Sequence, residues 1–304
     1  MLASFLAAFF FALNATCASH SIRAIGPARA NLGRLLLATI VLALFAHTLG
    51  HGFTSASTGW FLLSGVIGMG LGDLGVYGAL PLLGSRLTVL MTQCLAAPIA
   101  ALGEWLWLGT RLTAAQTFWG AVILIGVAVA LVPTKASPPR VRVRPVGFLF
   151  GLLAAAGQGF GALVSRKGVN VAAAAGESVQ NATFGLNAAY HRILAGLVFT
   201  AAFFFVLHLL GRLPPVFAPG APAIRRRARL WMIANALAGP VLGVGCYQWA
   251  LATTPSGIVL PIAATTPLLA IPIAYSLEGD RPTRRSVLGG VIAVTGCIAL
   301  TLAR

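Results

Sequence analysis

Between residues 114 and 132 the chain carries no Asp, Glu, Lys or Arg, and apolar side chains occupy the whole helix circumference. The stretches 35–49 and 287–302 read the same way. A helix that is apolar all round either sits in a large core or crosses a membrane. One or two such helices would fit a soluble domain, but a chain built almost wholly of them does not. The balance of residues decides between the two. With 9% charged residues, against about 25% in an ordinary soluble domain, there is too little polarity to cover a water-facing surface. The chain reads as an all-α membrane protein.

A bilayer crossing takes about 20 apolar residues. On that scale ten transmembrane helices fall at 2–19, 32–49, 59–82, 87–108, 114–132, 146–164, 191–210, 229–252, 257–277 and 286–302. Gly, Pro and charge mark the breaks, as in Gly26-Pro27, Gly109-Thr110-Arg111, Pro138-Pro139-Arg140, Pro214-Pro215 and Gly279-Asp280-Arg281-Pro282. The longest connections are expected at about 165–190 and 211–228, with no soluble domain between spans. Residues 2–19 lack the basic start and small-residue cleavage site of a signal peptide. They read as the first helix of the mature protein.

The two halves of the chain resemble each other. At an offset of 171, Trp60, Gly68, Leu71, Gly72, Ala79, Leu80 and Ser85 fall on Trp231, Gly239, Leu242, Gly243, Ala250, Leu251 and Ser256. At an offset of 170, Gly109, Arg111, Thr113, Gly120 and Gly126 fall on Gly279, Arg281, Thr283, Gly290 and Gly296. Asn14 aligns loosely with Gln158, and Arg34 with Arg192. This gives two units, 1–137 and 138–304, each with five spans. An odd span count places the units in opposite orientations, so the expected architecture is two inverted five-helix repeats. Secondary transporters are commonly built this way, with their substrate site near the midplane between repeats.

The formal charge of +16 would suggest nucleic acid in a soluble protein. Here Lys and Arg sit mainly in short loops, where they set membrane orientation. The odd-numbered loops and the edge of helix 2 hold 16 of them and the other side 5. That bias makes the odd loops cytoplasmic and puts both termini outside. The four cysteines, Cys17, Cys94, Cys246 and Cys297, are isolated in apolar segments and form neither a metal motif nor a disulfide framework.

Several short motifs add a resemblance. Gly109-Thr110-Arg111-Leu112 and Glu278-Gly279-Asp280-Arg281 occupy the turn between the fourth and fifth helix of each half. Pro98 and Pro267 precede them, and Gly120, Gly126, Gly290 and Gly296 follow. Arg34 and Arg192 begin the second helix of each half, and Ala250-Leu251 closes a third. In these features the chain resembles the EamA-type transporters of the drug/metabolite transporter superfamily. Thr110 and Asp280 stand where that family's turn carries Glu. The resemblance implies a secondary carrier, often an exporter of metabolites, amino acids or toxic compounds. It also implies both termini inside the cell, against the charge bias.

Asp73 is the sharpest candidate for chemistry. It lies near the middle of the third span, and its repeat counterpart is Val244. A carboxylate there is costly and usually functional, which suits reversible proton binding; the structural alternative is a pair with Arg34 or Arg86. Glu104, in the fourth span, is a second proton-coupling candidate, with Arg111 as its structural partner. For substrate binding the candidates are the amides Asn14 and Gln158, together with Tyr77, Gln93, Tyr247 and Gln248. Polar groups in apolar surroundings must find a partner, either another helix or a substrate. Arg34 and Arg192 could hold an anionic substrate group, or snorkel to headgroups. Glu278 and Asp280 read as a turn network with Arg281, Arg284 and Arg285. The glycines 65, 68, 72 and 75, with Gly239 and Gly243, read as close helix packing. Pro98, Pro240, Pro261, Pro267 and Pro272 should interrupt their helices and free carbonyls for a cavity.

Enzymatic readings find little support. The five histidines lack the HExxH spacing, no Gly-x-Ser-x-Gly is present, and there are only 5 acidic residues. A flippase for a lipid-linked metabolite shares the transporter architecture, and the basic stretch 225–229 could meet anionic headgroups. The expected setting is the cell (inner or plasma) membrane, multi-pass. The expected partners are the lipid bilayer and a small-molecule substrate; a homodimer is allowed for, and no nucleic acid, metal or cofactor is expected.

Overall fold

The computed structural model describes residues 1–25, 27–132, 142–211, 222–278 and 283–303. Its described residues contain 10 helices long and apolar enough to cross a membrane. They are α1 (Leu2–Ile22), α2 (Ala30–Thr48), α3 (Thr58–Gly84), α4 (Leu87–Leu108), α5 (Ala114–Leu131), α6 (Val146–Ala174), α7 (Ala182–Leu209), α8 (Arg229–Thr253), α9 (Ser256–Ile273) and α10 (Arg284–Leu302).

The pattern of burial is that of a protein in lipid. On α10 the bulky Val287, Leu288, Val291, Val294 and Ile298 face outward, while Gly289, Ala293, Gly296 and Cys297 face inward. Lipid tails are as apolar as leucine, so helices gain by close van der Waals packing, which small residues permit. The contact of α10 with α5 shows this twice. A Cβ on Gly126 would meet Ala293, and one on Gly296 would meet Ile123. These are equivalent positions, so α5 and α10 cross about a local two-fold axis.

The same symmetry governs the rest. The first helix of each repeat inserts between the third and fourth helices of the other. Thus α6 lies between α3, where Gly75 faces Ala154, and α4, where Met91 meets Gly151 and Ile99 meets Gly159. In the other half α1 lies against α8, with Asn14 over Gly239 and Phe11 over Gly243, and packs on α9. The second helices, α2 and α7, pack on each other. Even the irregularities repeat. A π-helical turn occupies Val66–Leu71 in α3 and Leu237–Gly243 in α8, at the offset of 171 seen in the sequence. Thr113 and Thr283 cap α5 and α10 in the same manner.

Two expectations are corrected. The connection expected at 165–190 is helical for most of its length: α6 continues to Ala174 and α7 begins at Ala182. Arg166 and Lys167 stay inside a helix because the first is paired with Glu104 and the second lies 6.0 Å from the Trp60 ring centroid. The carbonyl freed by Pro267 is also less available than expected, whereas Pro240 does lie in an interrupted stretch, the π turn of α8. The helix runs on through Pro98. In α9 the helix breaks at Ala264-Thr265, and Thr265 and Thr266 hydroxyls bond the Ile262 and Ala263 carbonyls at 2.7 and 2.6 Å. The Ala263 oxygen is the one that Pro267, lacking an N–H, leaves free. Gly84, at φ +78, turns the chain between α3 and α4, and Gly109, at φ +71, ends α4.

Candidate functional site

A cavity of about 560 Å³ lies between the repeats. Its walls are equivalent positions from the two halves: Asn14 with Gln158, Arg34 with Arg192, Gly68 with Gly239, Asp73 with Val244, and Val76 with Tyr247. Gln93 also faces it. The π turns of α3 and α8 border it, and such turns often mark functional sites.

Four buried polar atoms at this cavity have no protein partner: Asn14 Oδ1, Asp73 Oδ2, Arg192 Nε and the Tyr247 hydroxyl. Each such group costs roughly 1–3 kcal/mol, and native proteins keep few of them. Arg192 is nonetheless firmly held. Its Nη1 donates to Ser165 Oγ at 2.9 Å. Ser165 lies 2.8 Å from Ser64 Oγ, which itself donates to the Gly161 carbonyl at 2.5 Å. With the Ser64 proton engaged, Ser165 donates to Ser64 and offers its lone pairs to the guanidinium. The Arg192 guanidinium carbon is 5.8 Å from the Tyr247 ring centroid, within cation–π range. Across the cavity, Arg34 Nε donates to Asn31 Oδ1 at 2.9 Å. Asp73 lies in the field of both arginines. The cavity therefore holds two fixed cations and one carboxylate, with Arg192 and Asp73 each short of a hydrogen bond.

The cavity is lined toward one end of the bundle. Thr88 and Val89 at the start of α4, Leu131 at the end of α5 and Arg34 near the start of α2 all adjoin odd-numbered loops. The opposite end is tied shut. Arg166 Nε meets Glu104 Oε1 at 2.9 Å, and Arg166 Nη1 donates to the Leu251 carbonyl at 2.6 Å. Glu104 Oε2 accepts from the Ser256 amide at 2.7 Å and from the Ser256 hydroxyl. One carboxylate thus joins α4, α6 and the α8–α9 junction, across the repeat boundary. Further out, Glu177 accepts from Ser55 Oγ and the Ala56 amide, both at 2.7 Å, linking the α6–α7 and α2–α3 loops. His191 Nε2 is 2.8 Å from the Gly52 carbonyl, and Trp249 Nε1 donates to the Gln180 carbonyl at 3.0 Å.

The EamA-like transporter family model matches residues 1–132 and 145–302. The chain belongs to the EamA-like transporter family. A protein of known crystal structure superposes on this EamA chain with a TM-score of 0.72, covering 99% of this chain and 96% of that one at 18% identity. That likeness shows the shared fold. No curated protein matches the chain. As an EamA-family member it is a membrane transporter of the drug/metabolite transporter type, spanning the bilayer many times.

In this EamA transporter the cavity gathers Asn14, Arg34, Asp73, Gln93, Gln158, Arg192 and Tyr247 from the candidates named by sequence. Gln248 is fully buried away from the lining, with neither amide atom bonded. The Tyr77 and Glu278 side chains lie outside what the structure describes, as do residues Asp280 and Arg281. Glu104 stands apart from the cavity, and its partner is Arg166, not Arg111. Arg192 does not begin its span; it is deep in α7 and buried, because α7 starts well before the expected position. Ser64 and Ser165 carry no charge or motif and were not candidates. The signal that could have found them is their place among the small residues of α3 and α6, where a hydroxyl must bond inward.

Proposed function

We propose that the chain is a secondary carrier of the cell membrane that moves a small solute bearing a carboxylate or similar anionic group by alternating access. The observation that carries this reading is the convergence of four unpartnered buried polar atoms, two of them on Arg192 and Asp73, at one cavity between inverted repeats. Arg34 and Arg192 supply two positive charges against one carboxylate, so the site has a net attraction for an anion. Arg192 offers Nε, and Tyr247 its hydroxyl, in a place where water is scarce and such bonds are strong.

Asp73 makes the cycle proton-dependent in this reading. The ionised carboxylate competes with the solute for the two guanidiniums. Once Asp73 is protonated, both arginines are left to the solute, so proton and anion load together. The ties at Glu104, Arg166 and Ser256 close one end while the other is open. Rocking of one repeat against the other would break these ties and form contacts at the odd-loop end, as inverted repeats allow.

The test is reconstitution into liposomes with a panel of small carboxylates under an imposed pH gradient. The expected result is uptake of at least one carboxylate that the gradient accelerates, with Asp73→Asn transporting at a rate independent of the gradient. Equal uptake with and without the gradient, unchanged in Asp73→Asn, would refute the coupling role.

A further inference from the structure

A second hollow, of about 510 Å³, lies between α2, α3, α6 and α7. Its walls are Phe150 and Leu153 from α6, Phe199, Phe203 and Phe204 from α7, and the α3 backbone at Gly70 and Gly78. The two glycines shape it. A Cβ on Gly70 would strike the Phe199 ring, and one on Gly78 the Phe150 ring, so both rings lie directly on the helix. The outer walls are open: Leu153, Phe150 and Phe203 are 40%, 36% and 36% exposed on membrane-spanning helices, where the surrounding medium is lipid. The inner end is polar, made by Asp73, Thr200 and Asn31. Asp73 is the residue common to this crevice and the central cavity. Behind it stand Arg34, bonded to Asn31, and Arg192.

An apolar, ring-lined crevice open to the bilayer, with a net cationic cluster at its inner end, matches a particular molecule. We propose that this crevice takes the apolar body of an amphiphilic organic anion from the bilayer, while its anionic head rests on Arg34 and Arg192. The occupant carries a single chain or ring system, as a medium-chain carboxylate does. This rests on the reading of the central cavity as an anion site and adds a lateral route to it. A hydrophobic cation is disfavoured because the two guanidiniums outnumber the single carboxylate. A purely apolar lipid tail would leave the polar inner end unbonded.

The test measures binding of isotope-labelled dodecanoate and acetate to the full chain in nanodiscs, with empty nanodiscs subtracted. Three variants are compared with the wild type: Leu153→Trp, which fills the crevice from its exposed wall; Leu149→Trp, on the same helix but outside the lining; and Arg192→Gln. The expected result is dodecanoate binding at least tenfold tighter than acetate. Leu153→Trp should erase that difference while keeping acetate binding, Leu149→Trp should preserve it, and Arg192→Gln should weaken both ligands. Equal affinity of the two acids, or a chain-length gain unchanged by Leu153→Trp, overturns the crevice assignment and leaves the anion cavity standing. Binding of neither acid overturns both. Competition by dodecyltrimethylammonium as strong as by dodecanoate overturns the charge assignment.

Discussion

Glu104 and Arg166 form a buried ion pair, 2.9 Å from Oε1 to Nε, that joins α4 of one repeat to α6 of the other. The Arg166 side chain is 13% exposed and that of Glu104 is 2% exposed, and both make further bonds to Ser256 and the Leu251 carbonyl. The pair closes one end of the bundle while the cavity opens toward the other. Its energetics set the first prediction.

Removing one member of a buried pair strands the other, at a cost of about 3–5 kcal/mol. Glu104→Gln and Arg166→Gln should each lower the thermal unfolding midpoint of the purified protein. The double substitution should cost less than the sum of the two, since it strands no charge. Strict additivity in that cycle would show that the two residues do not act as a pair.

Ser165 holds Arg192 without facing the cavity as a charged group. Ser165→Ala should remove one bond to a buried guanidinium, worth roughly 1.5–3 kcal/mol. In transport assays on the carboxylate selected from the panel, the expected effect is a rise in KM of about tenfold or more with the maximal rate little changed. Ser165→Thr, which keeps the hydroxyl, should recover part of the loss. A fall in maximal rate at constant KM would assign Ser165 to the conformational step.

Helix packing at glycine makes a third prediction. Gly75 faces the Ala154 backbone with no room for a Cβ, whereas Gly290 has nothing within 4 Å. Gly75→Ala should destabilise by about 1–3 kcal/mol through overpacking. Gly290→Ala should be neutral or raise stability by up to about 1 kcal/mol, because alanine suits a helix better. Thermal unfolding of the two variants checks the contrast, and equal effects would contradict the packing assigned to α3 and α6.

The sequence carried the spans, the repeat and the mid-span carboxylate Asp73, because each depends on local composition or on self-similarity. Asp73 stood out as an acid in an apolar run, and the cavity does gather it with Arg34 and Arg192. What sequence missed were partners distant in the chain. Arg166 looked like loop charge, since the residue that neutralises it lies in another repeat. The pattern of buried small residues continues past it through Gly168 and Ala172, and reading that pattern would have extended α6. Starting α7 late in the same way moved Arg192 to a helix end, when it belongs in the middle. Ser64 and Ser165 have no distinctive spacing; their role appears only once three helices are side by side.

The central claim is that the two repeats rock about the cavity, so that one end opens as the other closes. Double electron–electron resonance in lipid bilayers tests it directly. The four native cysteines are replaced, and one spin-label pair is placed at Thr54 and Ser178, beside the Ser55–Glu177 tie, with a second at Val132 of the first repeat and Leu230 of the second, on the odd-loop side. Glu104→Gln, which unties the closed end, should lengthen the Thr54–Ser178 distance and shorten the Val132–Leu230 distance in the same sample. Lengthening of the first with no change in the second, or no change in either, would contradict alternating access about this cavity.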